Sequence, residues 1–261
     1  MNLAPSALRP DALAGRVALV TGVSRRIGIG FAIAQRLLGA GATVFVQSWQ
    51  RYDAGRPWGD DDLQALLAQL RKAGRVEHAE ADFSDPAAPG SLMEQARTAF
   101  GHVDILIANH AYSTMGDLTE LTAEQVDRHM AVNVRATLLL AQAFAAQHDG
   151  RPGGRVILMT SGQHSGPMSG ELAYVASKAA LHGLTTSLSA HLIRRGITVN
   201  TVNPGATDTG YATGELFDAV QAASPQGRWG MPDDAARLIA WLVTDDAQWV
   251  TGQVINSTGG M

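Results

Sequence analysis

The sequence predicts an α/β fold, a doubly wound parallel sheet forming a single domain. Short apolar, β-branched runs alternate along the chain with longer segments of helical period. Strands that are apolar on both faces and alternate with helices form parallel sheets covered on both sides. No linker rich in Pro, Gly or Ser and no internal repeat divides the sequence. We therefore expect one domain over residues 13–261, preceded by a tail over residues 1–12.

The order of the predicted elements follows from these runs. Helical period marks residues 30–41, 63–74 and 174–192, and apolar β-branched runs mark strands at 16–22, 43–48, 103–109, 155–161, 197–203 and 253–260. Residues 211–228 interrupt the alternation after a strand end. Ligands of such sheets bind beyond the carboxyl ends of the strands, so this segment is either a substrate lid or a plain surface excursion.

Composition narrows the class of protein. The 261 residues are 46% hydrophobic, enough for a large core, and the formal net charge of −4 comes without a long Lys/Arg run. Nucleic acid and anionic membrane surfaces are therefore poor partners, and a small molecule is the better one. There is no cysteine, which excludes disulfides and thiolate chemistry. With neither a signal-like start nor an apolar run of about 18 residues, we expect a cytoplasmic protein.

A glycine loop joins the first predicted strand to the first predicted helix. Glycines let the backbone turn tightly and approach a ligand, while the free N–H groups and dipole of the helix attract a pyrophosphate. This position favours dinucleotide binding over a purely structural turn. The expected cofactor contacts in the loop are Gly22, Ser24, Arg25, Arg26, Gly28, Ile29 and Gly30.

The end of the second strand bears on the choice of cofactor. Folds specific for NAD place Asp or Glu there on the ribose hydroxyls, whereas the candidates here are Ser48 or its neighbour Trp49. Guanidinium groups that suit a 2′-phosphate are available nearby from Arg25, Arg26 and Arg51. We expect NADP, as NADPH, to be preferred. NAD is possible, because Asp53 is also near and can serve the ribose.

The stretch YVASK, residues 174–178, places a tyrosine and a lysine four apart on a predicted helix. That spacing puts Tyr174 and Lys178 on one face, about 5–6 Å apart, where the ammonium can act on the phenol. Taken alone, the spacing equally suits an ordinary solvated helix face. The motifs around it decide between the two.

Five motifs occur in a fixed order: the glycine loop, ADFSD (81–85), ANHA (108–111), YVASK (174–178) and NPG (203–205). With them, residues 14–260 resemble the short-chain dehydrogenase/reductase family of the one-domain type. The resemblance implies a Rossmann fold, hydride transfer between NAD(P) and a ketone or secondary alcohol, no metal, and a homotetramer. The 3-oxoacyl-carrier-protein reductases are similar, which makes a 3-oxoacyl thioester a possible substrate.

The resemblance also implies roles for individual residues. Tyr174 is the acid, and Lys178 tunes it and holds the nicotinamide ribose, so both contact the cofactor. Ser161, thirteen residues before Tyr174, orients the substrate, and Asn133 holds a water beside the lysine. The remaining implied cofactor contacts are Asp82 and Phe83 at the adenine, Asn109 and Ala111, and the turn residues Pro204, Gly205, Thr207 and Thr209.

Two departures from the family pattern are visible. Five residues instead of the usual three separate the first two loop glycines, so either two residues are inserted or Arg26 occupies the place of the middle glycine. We favour the insertion, since it keeps all three glycines. The usual NNAG reads ANHA, and His110 either lines the substrate side or only packs there. Gln163 and His164 follow the serine closely and are candidates for contact with the substrate.

The chemistry expected of this set is carbonyl reduction. Lys178 and the positive oxidised nicotinamide are expected to lower the pKa of Tyr174. Enoyl reductases of this superfamily place six residues between tyrosine and lysine, whereas three stand here. The alternative is a non-catalytic NADP-binding or redox-sensing protein of the same fold. Such a protein has no need of Asn133, Ser161, Tyr174 and Lys178 together.

Overall fold

The computed structural model describes residues 8–261, so residues 1–7 of the predicted tail lie outside the described residues. The part of the tail that is described lies against the domain. Leu8 packs partly buried on the core, and the buried Leu13 donates its N–H to the carbonyl oxygen of Ala40 at 2.8 Å.

Seven parallel strands form one sheet in the order β3-β2-β1-β4-β5-β6-β7, which confirms the predicted doubly wound fold. The strands are β1 (Val17–Val20), β2 (Thr43–Ser48), β3 (Val76–Glu80), β4 (Ile105–Ala108), β5 (Gly154–Met159), β6 (Ile197–Asn203) and β7 (Val254–Asn256). The chain order reverses at β1, which pairs with β2 on one side and β4 on the other. A crevice for a ligand is expected at this reversal, beyond the carboxyl ends of β1 and β4.

Helices cover both faces of the sheet. They are α1 (Ile29–Gly39), α2 (Gln50–Ala54), α3 (Leu63–Arg71), α4 (Ala88–Phe100), α5 (Ala123–His129), α6 (Ala136–Gln147), α7 (Leu172–Leu192), α8 (Gly214–Ala223) and α9 (Pro232–Leu242). Along the described residues, no helix has both the length and the apolar character that a bilayer span needs.

The core has two layers because side chains alternate along each strand. Ala18 and Val20 of β1 join the cluster under α1, α3 and α9. Val17 and Leu19 join the opposite cluster, under α4 and α6. The sheet is therefore buried on both faces, and its strand ends are left to form the site.

Helices α5 and α6 are continuous through a π-helical turn, Met130–Arg135. A wider turn leaves carbonyl groups without the usual helical partner, and such turns often occur at functional sites. Side chains take up two of these carbonyls: Thr137 Oγ1 donates to the carbonyl of Asn133 at 2.7 Å, and the His110 ring lies 3.0 Å from that of Val132. The turn places Asn133, fully buried, toward α7.

The predicted lid, residues 211–228, contains α8 and is mostly exposed. It is attached through aromatic contacts, because Phe217 stacks on Trp229 with ring centroids 5.1 Å apart and its carbonyl accepts from Trp229 Nε1 at 2.9 Å. Tyr211 meets the same indole edge-on at 5.8 Å. One tryptophan therefore anchors both the start and the helix of this segment.

Candidate active site

The glycine loop closes by direct backbone contact. A Cβ at residue 30 would lie 2.4 Å from the carbonyl oxygen of Gly22 and 2.7 Å from Asn109 Nδ2, so only glycine fits there. Gly22 itself has φ +72°, a conformation that favours glycine. Helix α1 begins at Ile29, directly after Gly28, which makes no side-chain cap. This geometry fits the inserted register, in which all three glycines keep their place.

A cavity of about 440 Å³ lies beside this loop, at the reversal of the sheet. The predicted cofactor contacts that line it are Gly22, Ser24, Arg25, Gly28, Ile29, Asp82, Phe83, Asn109, Ala111 and Thr209. Gly30 supports the cavity from behind through its contact with Gly22. Residues predicted from separate parts of the chain are therefore brought to one cavity.

Two predicted contacts do not line this cavity. Ser48 is fully buried, and its hydroxyl lies 2.8 Å from His78 Nε2 on β3, so it faces away from the cavity. Arg26 turns outward, where its N–H donates to Asp61 Oδ2 at 2.6 Å and its guanidinium pairs with the same carboxylate. Strand alternation turns the Ser48 side chain away from the cavity.

The neighbours of Ser48, Gln47 and Trp49, lie at the cavity instead. Gln47 accepts the N–H of Gly22 at 2.9 Å and donates to the carbonyl of Ala81 at 2.8 Å, joining the glycine loop to the end of β3. Trp49 lines the cavity. The alternation of side chains along β2 could have predicted both positions, because Gln47 and Trp49 lie one residue to either side of Ser48 and therefore face the opposite way. No comparable signal marked Tyr52, which also lines the cavity and comes from the long β2–α3 connection.

Charges of both signs meet at the cavity wall. Arg25 donates to the carbonyl of Thr209 at 2.6 Å and lies 5.6 Å from the ring of Trp58, and burial lowers the pKa of Arg25. Arg51 stacks over Trp49 at 5.9 Å. Asp53 also lines the cavity, with its carboxylate accepting from Trp58 Nε1 at 3.0 Å. Groups suited to a phosphate and to a ribose are therefore both present.

The turn after β6 reaches the cavity only through Thr209. Gly205 has φ +68°, and a Cβ there would lie 2.8 Å from Thr258 Cα. Thr207 is buried and donates to the carbonyl of Pro204 at 3.1 Å. Pro204, Gly205 and Thr207 shape the turn, and their predicted contact with a cofactor stays a prediction.

Tyr174 and Lys178 lie one helical turn apart on α7, as their spacing predicts. Lys178 Nζ is 5.6 Å from the centroid of the Tyr174 ring and donates to the carbonyl of Met159 at 2.9 Å. Its side chain is buried, which lowers the pKa of Lys178 to about 8. The lysine is thus a buried cation anchored to the end of β5.

The pKa of Tyr174 is raised, not lowered. Burial is the main cause, and the hydrogen bond with the Ser161 side chain opposes it. The charge of Glu171 raises the pKa further. The expectation that Lys178 lowers this pKa is therefore wrong for the protein's own residues, because burial of the phenol outweighs the opposing interaction. Ser161 and Tyr174 do meet, as the thirteen-residue separation implied.

The side-chain amide of Asn133 is hydrogen-bonded to other groups of the protein. Its Nδ2 donates to the carbonyl of Tyr112 and to Ser177 Oγ, each at 2.9 Å, and its Oδ1 accepts the N–H of Tyr112 at 2.6 Å. Ser177 Oγ in turn donates to the carbonyl of Tyr174 at 2.7 Å. Asn133 thus joins the loop after β4 to α7. Its expected role in holding a water stays a prediction.

His110 packs in the interior and borders the cofactor cavity. Its Nδ1 lies 2.8 Å from Thr21 Oγ1, its Nε2 lies 3.0 Å from the carbonyl of Val132, and its ring is 4.2 Å from that of Phe83. Burial, with a smaller contribution from Lys178, lowers the pKa of His110 to about 3. His110 thus packs in the interior and also lines the cavity, and its contact with a substrate stays a prediction.

Gln163 and His164 lie close to Ser161 in the chain, and the side chains of both are hydrogen-bonded to other groups of the protein. The Gln163 side chain accepts the N–H of Ser161 at 3.2 Å and donates to Thr160 Oγ1 at 3.0 Å. His164 Nε2 lies 3.0 Å from Asn256 Oδ1. Gln163 therefore fixes the backbone of the serine. Within residues 8–261, no three His, Cys, Asp or Glu side chains are placed to share a metal ion.

A protein-family model described as Enoyl-(Acyl carrier protein) reductase matches residues 22–261. The chain is 42% identical over 247 residues to "Uncharacterized oxidoreductase YjdA" of Bacillus subtilis (strain 168), a match that covers 94% of this chain and 96% of that protein. It is 34% identical over 278 residues to "Hydroxynaphthalene reductase-like protein Arp2" of Metarhizium majus (strain ARSEF 297), covering 99% of each.

The fold matches solved structures over nearly its whole length. A short chain dehydrogenase from Burkholderia cenocepacia J2315, solved in complex with NADP, has a TM-score of 0.85 and 36% identity, covering 95% of this chain and 98% of that one. These matches agree with the ordered motifs, the seven-stranded parallel sheet and the grouping of Ser161, Tyr174 and Lys178. The chain belongs to the short-chain dehydrogenase/reductase family of oxidoreductases.

Proposed function

We propose that this protein is an NADPH-dependent carbonyl reductase, and reversibly an alcohol dehydrogenase, acting on ketones and secondary alcohols. One observation carries the proposal: Tyr174 lies one helical turn from the buried Lys178, whose Nζ is 5.6 Å from the Tyr174 ring, and the Ser161 side chain is near enough to lower the pKa of the phenol. A phenol, a second hydroxyl and a cation at one point are the groups needed where a carbonyl oxygen gains negative charge.

The residues around the cavity fit NADP. The contact between Gly22 and Gly30 leaves no room for a Cβ, and the first turn of α1 has no side-chain cap, so its N–H groups suit a pyrophosphate. Asp82 and Phe83 would hold the adenine side, and Arg25 and Arg51 the 2′-phosphate. The Burkholderia cenocepacia relative, solved with NADP, supports the same cofactor here.

Tyr174 acts as the proton donor. When bound, the reduced nicotinamide supplies a hydride to the carbonyl carbon of the substrate. Negative charge then builds on the carbonyl oxygen, and Tyr174 donates its hydroxyl proton there, leaving an alcohol. The phenol of Tyr174 is protonated at neutral pH, as donation requires, but its raised pKa makes it a weaker acid, so the transfer depends on the charge of Lys178. Ser161 orients the same oxygen by hydrogen bonding.

Lys178 supports this step by charge. Its pKa of about 8 leaves the ammonium protonated at neutral pH. After Tyr174 has given up its proton, the ammonium lies beside a phenolate, in a buried place where charges attract more strongly than in water. Met159 holds the ammonium in position through its carbonyl group. Lys178 would also hold the nicotinamide ribose.

The next question is which carbonyl compounds the protein reduces. A 3-oxoacyl thioester is included because the chain resembles 3-oxoacyl-carrier-protein reductases. The matching family model is described as an enoyl reductase, so enoyl thioesters belong in the same comparison. We favour carbonyl over enoyl reduction because three residues, not six, separate Tyr174 from Lys178.

The test is NADPH oxidation with a panel of ketones, β-ketoesters, 3-oxoacyl thioesters and enoyl thioesters, with NADH in parallel. Tyr174→Phe should lower kcat at least about 100-fold while NADPH binds within a few fold, since removing a general acid typically costs that much. Ser161→Ala should also lose activity, and Ser165→Ala, an exposed neighbour, is its control. Unchanged turnover in Tyr174→Phe contradicts the proposal. NADPH binding with no turnover of any compound favours a redox-sensing protein.

We also propose a homotetramer, as the family resemblance implies. Trp249, five residues before the start of β7, is 95% exposed, which suits a surface that another copy covers. Sedimentation should give four times the mass of the chain. A monomer at micromolar concentration contradicts this assembly.

A further inference from the structure

His129 ends α5, directly before the π-helical turn, and its side chain is fully buried. Its Nδ1 lies 2.7 Å from the carbonyl oxygen of Gln125, which can only accept a hydrogen bond, so Nδ1 carries the proton. Its Nε2 accepts the N–H of Thr114 at 3.2 Å. Both ring nitrogens are therefore used, and their partners fix the ring as one neutral tautomer.

The loop after β4 leads from the cofactor cavity to the helix of the proton donor. Tyr112 lines the cavity, and Gly116 forms a parallel bridge with the residue directly before α7. Side chains of the α5–α6 region hold the backbone between these points. Asn133 bonds both backbone groups of Tyr112, and His129 bonds the N–H of Thr114. His129 is therefore one of the groups that fix the path of this loop.

The ring of His129 also packs against two tyrosines. Its centroid is 4.8 Å from that of Tyr112, with the ring planes at 73°, and 6.4 Å from that of Tyr174, with the planes at 74°. Both are edge-to-face contacts within the range that aromatic rings favour. The ring that holds the loop therefore also supports the phenol of the proton donor.

A proton on Nε2 would disrupt this arrangement, because it would face the N–H of Thr114, donor against donor, in a buried place. The titratable and charged groups around the ring are Tyr112 from the loop, Tyr174 from α7, Arg56 from the segment after α2, and Arg128 of α5, which lies over Tyr112. Within residues 8–261, no carboxylate bonds the ring. Burial is the main cause that lowers the pKa of His129 from 6.5, and the charge of Arg56 lowers it further. The ring is therefore neutral at pH 7.

We infer that His129 is a positioning residue for the reduction: its neutral ring holds the loop after β4 and the phenol of Tyr174 in the arrangement that transfers the proton. This inference rests on the proposed carbonyl reductase activity and adds a requirement of the same site. His129 does not line the cofactor cavity, so it acts on the chemical step and not on cofactor binding. A misplacement of about 1 Å is enough to slow such a step. Activity should also fall below pH 6.5, as the fraction of neutral His129 falls.

The test measures kcat, with the ketone of the panel that is reduced fastest, and the Kd for NADPH. His129→Leu has a side chain of similar size that accepts no hydrogen bond, so its kcat at pH 7 should fall at least about tenfold while NADPH binds within about twofold. His129→Gln offers an oxygen to the N–H of Thr114 and cannot titrate. It should recover kcat to within about threefold of the wild type, as rescue of a positioning hydrogen bond requires.

The pH profile separates positioning from simple packing. Between pH 7 and the lowest pH at which both proteins stay folded by circular dichroism, the wild-type kcat should fall at least about threefold more than that of His129→Gln. This comparison decides even where His129→Leu does not fold. His191→Gln removes an exposed histidine near the end of α7 and should keep the wild-type profile.

Superimposable pH profiles of the wild type and His129→Gln overturn the inference, and so does an undiminished kcat in a folded His129→Leu. A loss of NADPH affinity in His129→Leu as large as the loss of kcat also overturns it, since the residue would then act on cofactor binding. Turnover that persists in Tyr174→Phe instead overturns the proposed function, so the two failures are distinct.

Discussion

The Nε2 atom of His110 lies 3.0 Å from the carbonyl oxygen of Val132, inside the π-helical turn that carries Asn133. The other ring nitrogen lies 2.8 Å from Thr21 Oγ1, at the end of β1. One neutral imidazole therefore connects the sheet to the irregular turn. Asn133 then extends the connection to α7 through Ser177.

This contact predicts a pH dependence of stability. The folded pKa of His110 is about 3 and its unfolded value is 6.5, so folding favours the neutral ring. Its contribution is complete above about pH 6.5 and is lost as the pH falls toward 3. Between about pH 7.5 and pH 5, the wild type should lose about 2 kcal/mol more unfolding free energy than His110→Gln, which cannot titrate. Urea unfolding at both pH values measures this difference.

Glutamine at residue 110 can still donate to the carbonyl of Val132, which makes it a conservative control for the hydrogen bond. The comparison of pH slopes also cancels the other histidines, which titrate in both proteins. Parallel losses in the wild type and His110→Gln would mean that His110 is not the group responsible.

Gly30→Ala should disrupt the glycine loop. Its Cβ would lie 2.4 Å from the carbonyl oxygen of Gly22, closer than real atoms approach. We expect NADPH affinity to fall at least about tenfold and the protein to lose about 2 kcal/mol of stability, as overpacking at such contacts does. Isothermal titration and urea unfolding measure the two effects.

Gly39→Ala is the matched control, because it lies in the same helix and its Cβ would meet no atom within 4 Å. There the substitution should be neutral or stabilising by up to about 1 kcal/mol, given the helix propensities. Equal effects at residues 30 and 39 would contradict the close contact.

Arg51→Ala should weaken NADPH more than NADH. Arg51 lines the cavity, and loss of a cation at a phosphate should raise the Kd for NADPH about tenfold while the Kd for NADH changes less than about twofold. Arg26→Ala removes the same charge from a side chain paired with Asp61 outside the cavity, so it should change neither. Fluorescence titration with both cofactors gives the constants. A larger effect at Arg26 would restore the loop arginine as the phosphate contact.

Asn133→Ala should destabilise the region between the loop after β4 and α7. It leaves the backbone N–H and carbonyl of Tyr112 and the hydroxyl of Ser177 without their partner. Unpaired buried polar groups cost about 1–3 kcal/mol each, so we expect a loss of about 3 kcal/mol in urea unfolding. Thr119→Ala, at an exposed turn, serves as the control. A loss under about 1 kcal/mol would show that water replaces the amide readily.

Sequence patterns predicted most of the fold because they reflect local physics. The apolar strands, the helical periods and the glycine loop between them gave the parallel sheet, and the structure confirms it with bounds that shift by a few residues. The C-terminal strand, Val254–Asn256, is shorter than predicted, and Gly259 and Gly260 at the end of the predicted range have positive φ, which a strand does not adopt.

The errors concern the directions and surroundings of side chains. Ser48 faces His78 instead of the cavity, since strand alternation turns Gln47 and Trp49 the other way. Arg26 reaches Asp61, a residue 35 positions away in sequence. The pKa of Tyr174 is raised because burial, which the spacing to Lys178 does not reveal, is its main cause.

The sequence by itself determined the family and the order of the elements, and it predicted Ser161, Tyr174 and Lys178 as the catalytic residues, because these depend on spacing and local periodicity. Only the tertiary structure decided that His110 serves the π-helical turn and that Asn133 joins the loop after β4 to α7. Burial and hydrogen-bond partners depend on residues distant in sequence. A side chain's charge and partners are therefore fixed only when the strand ends and loops come together.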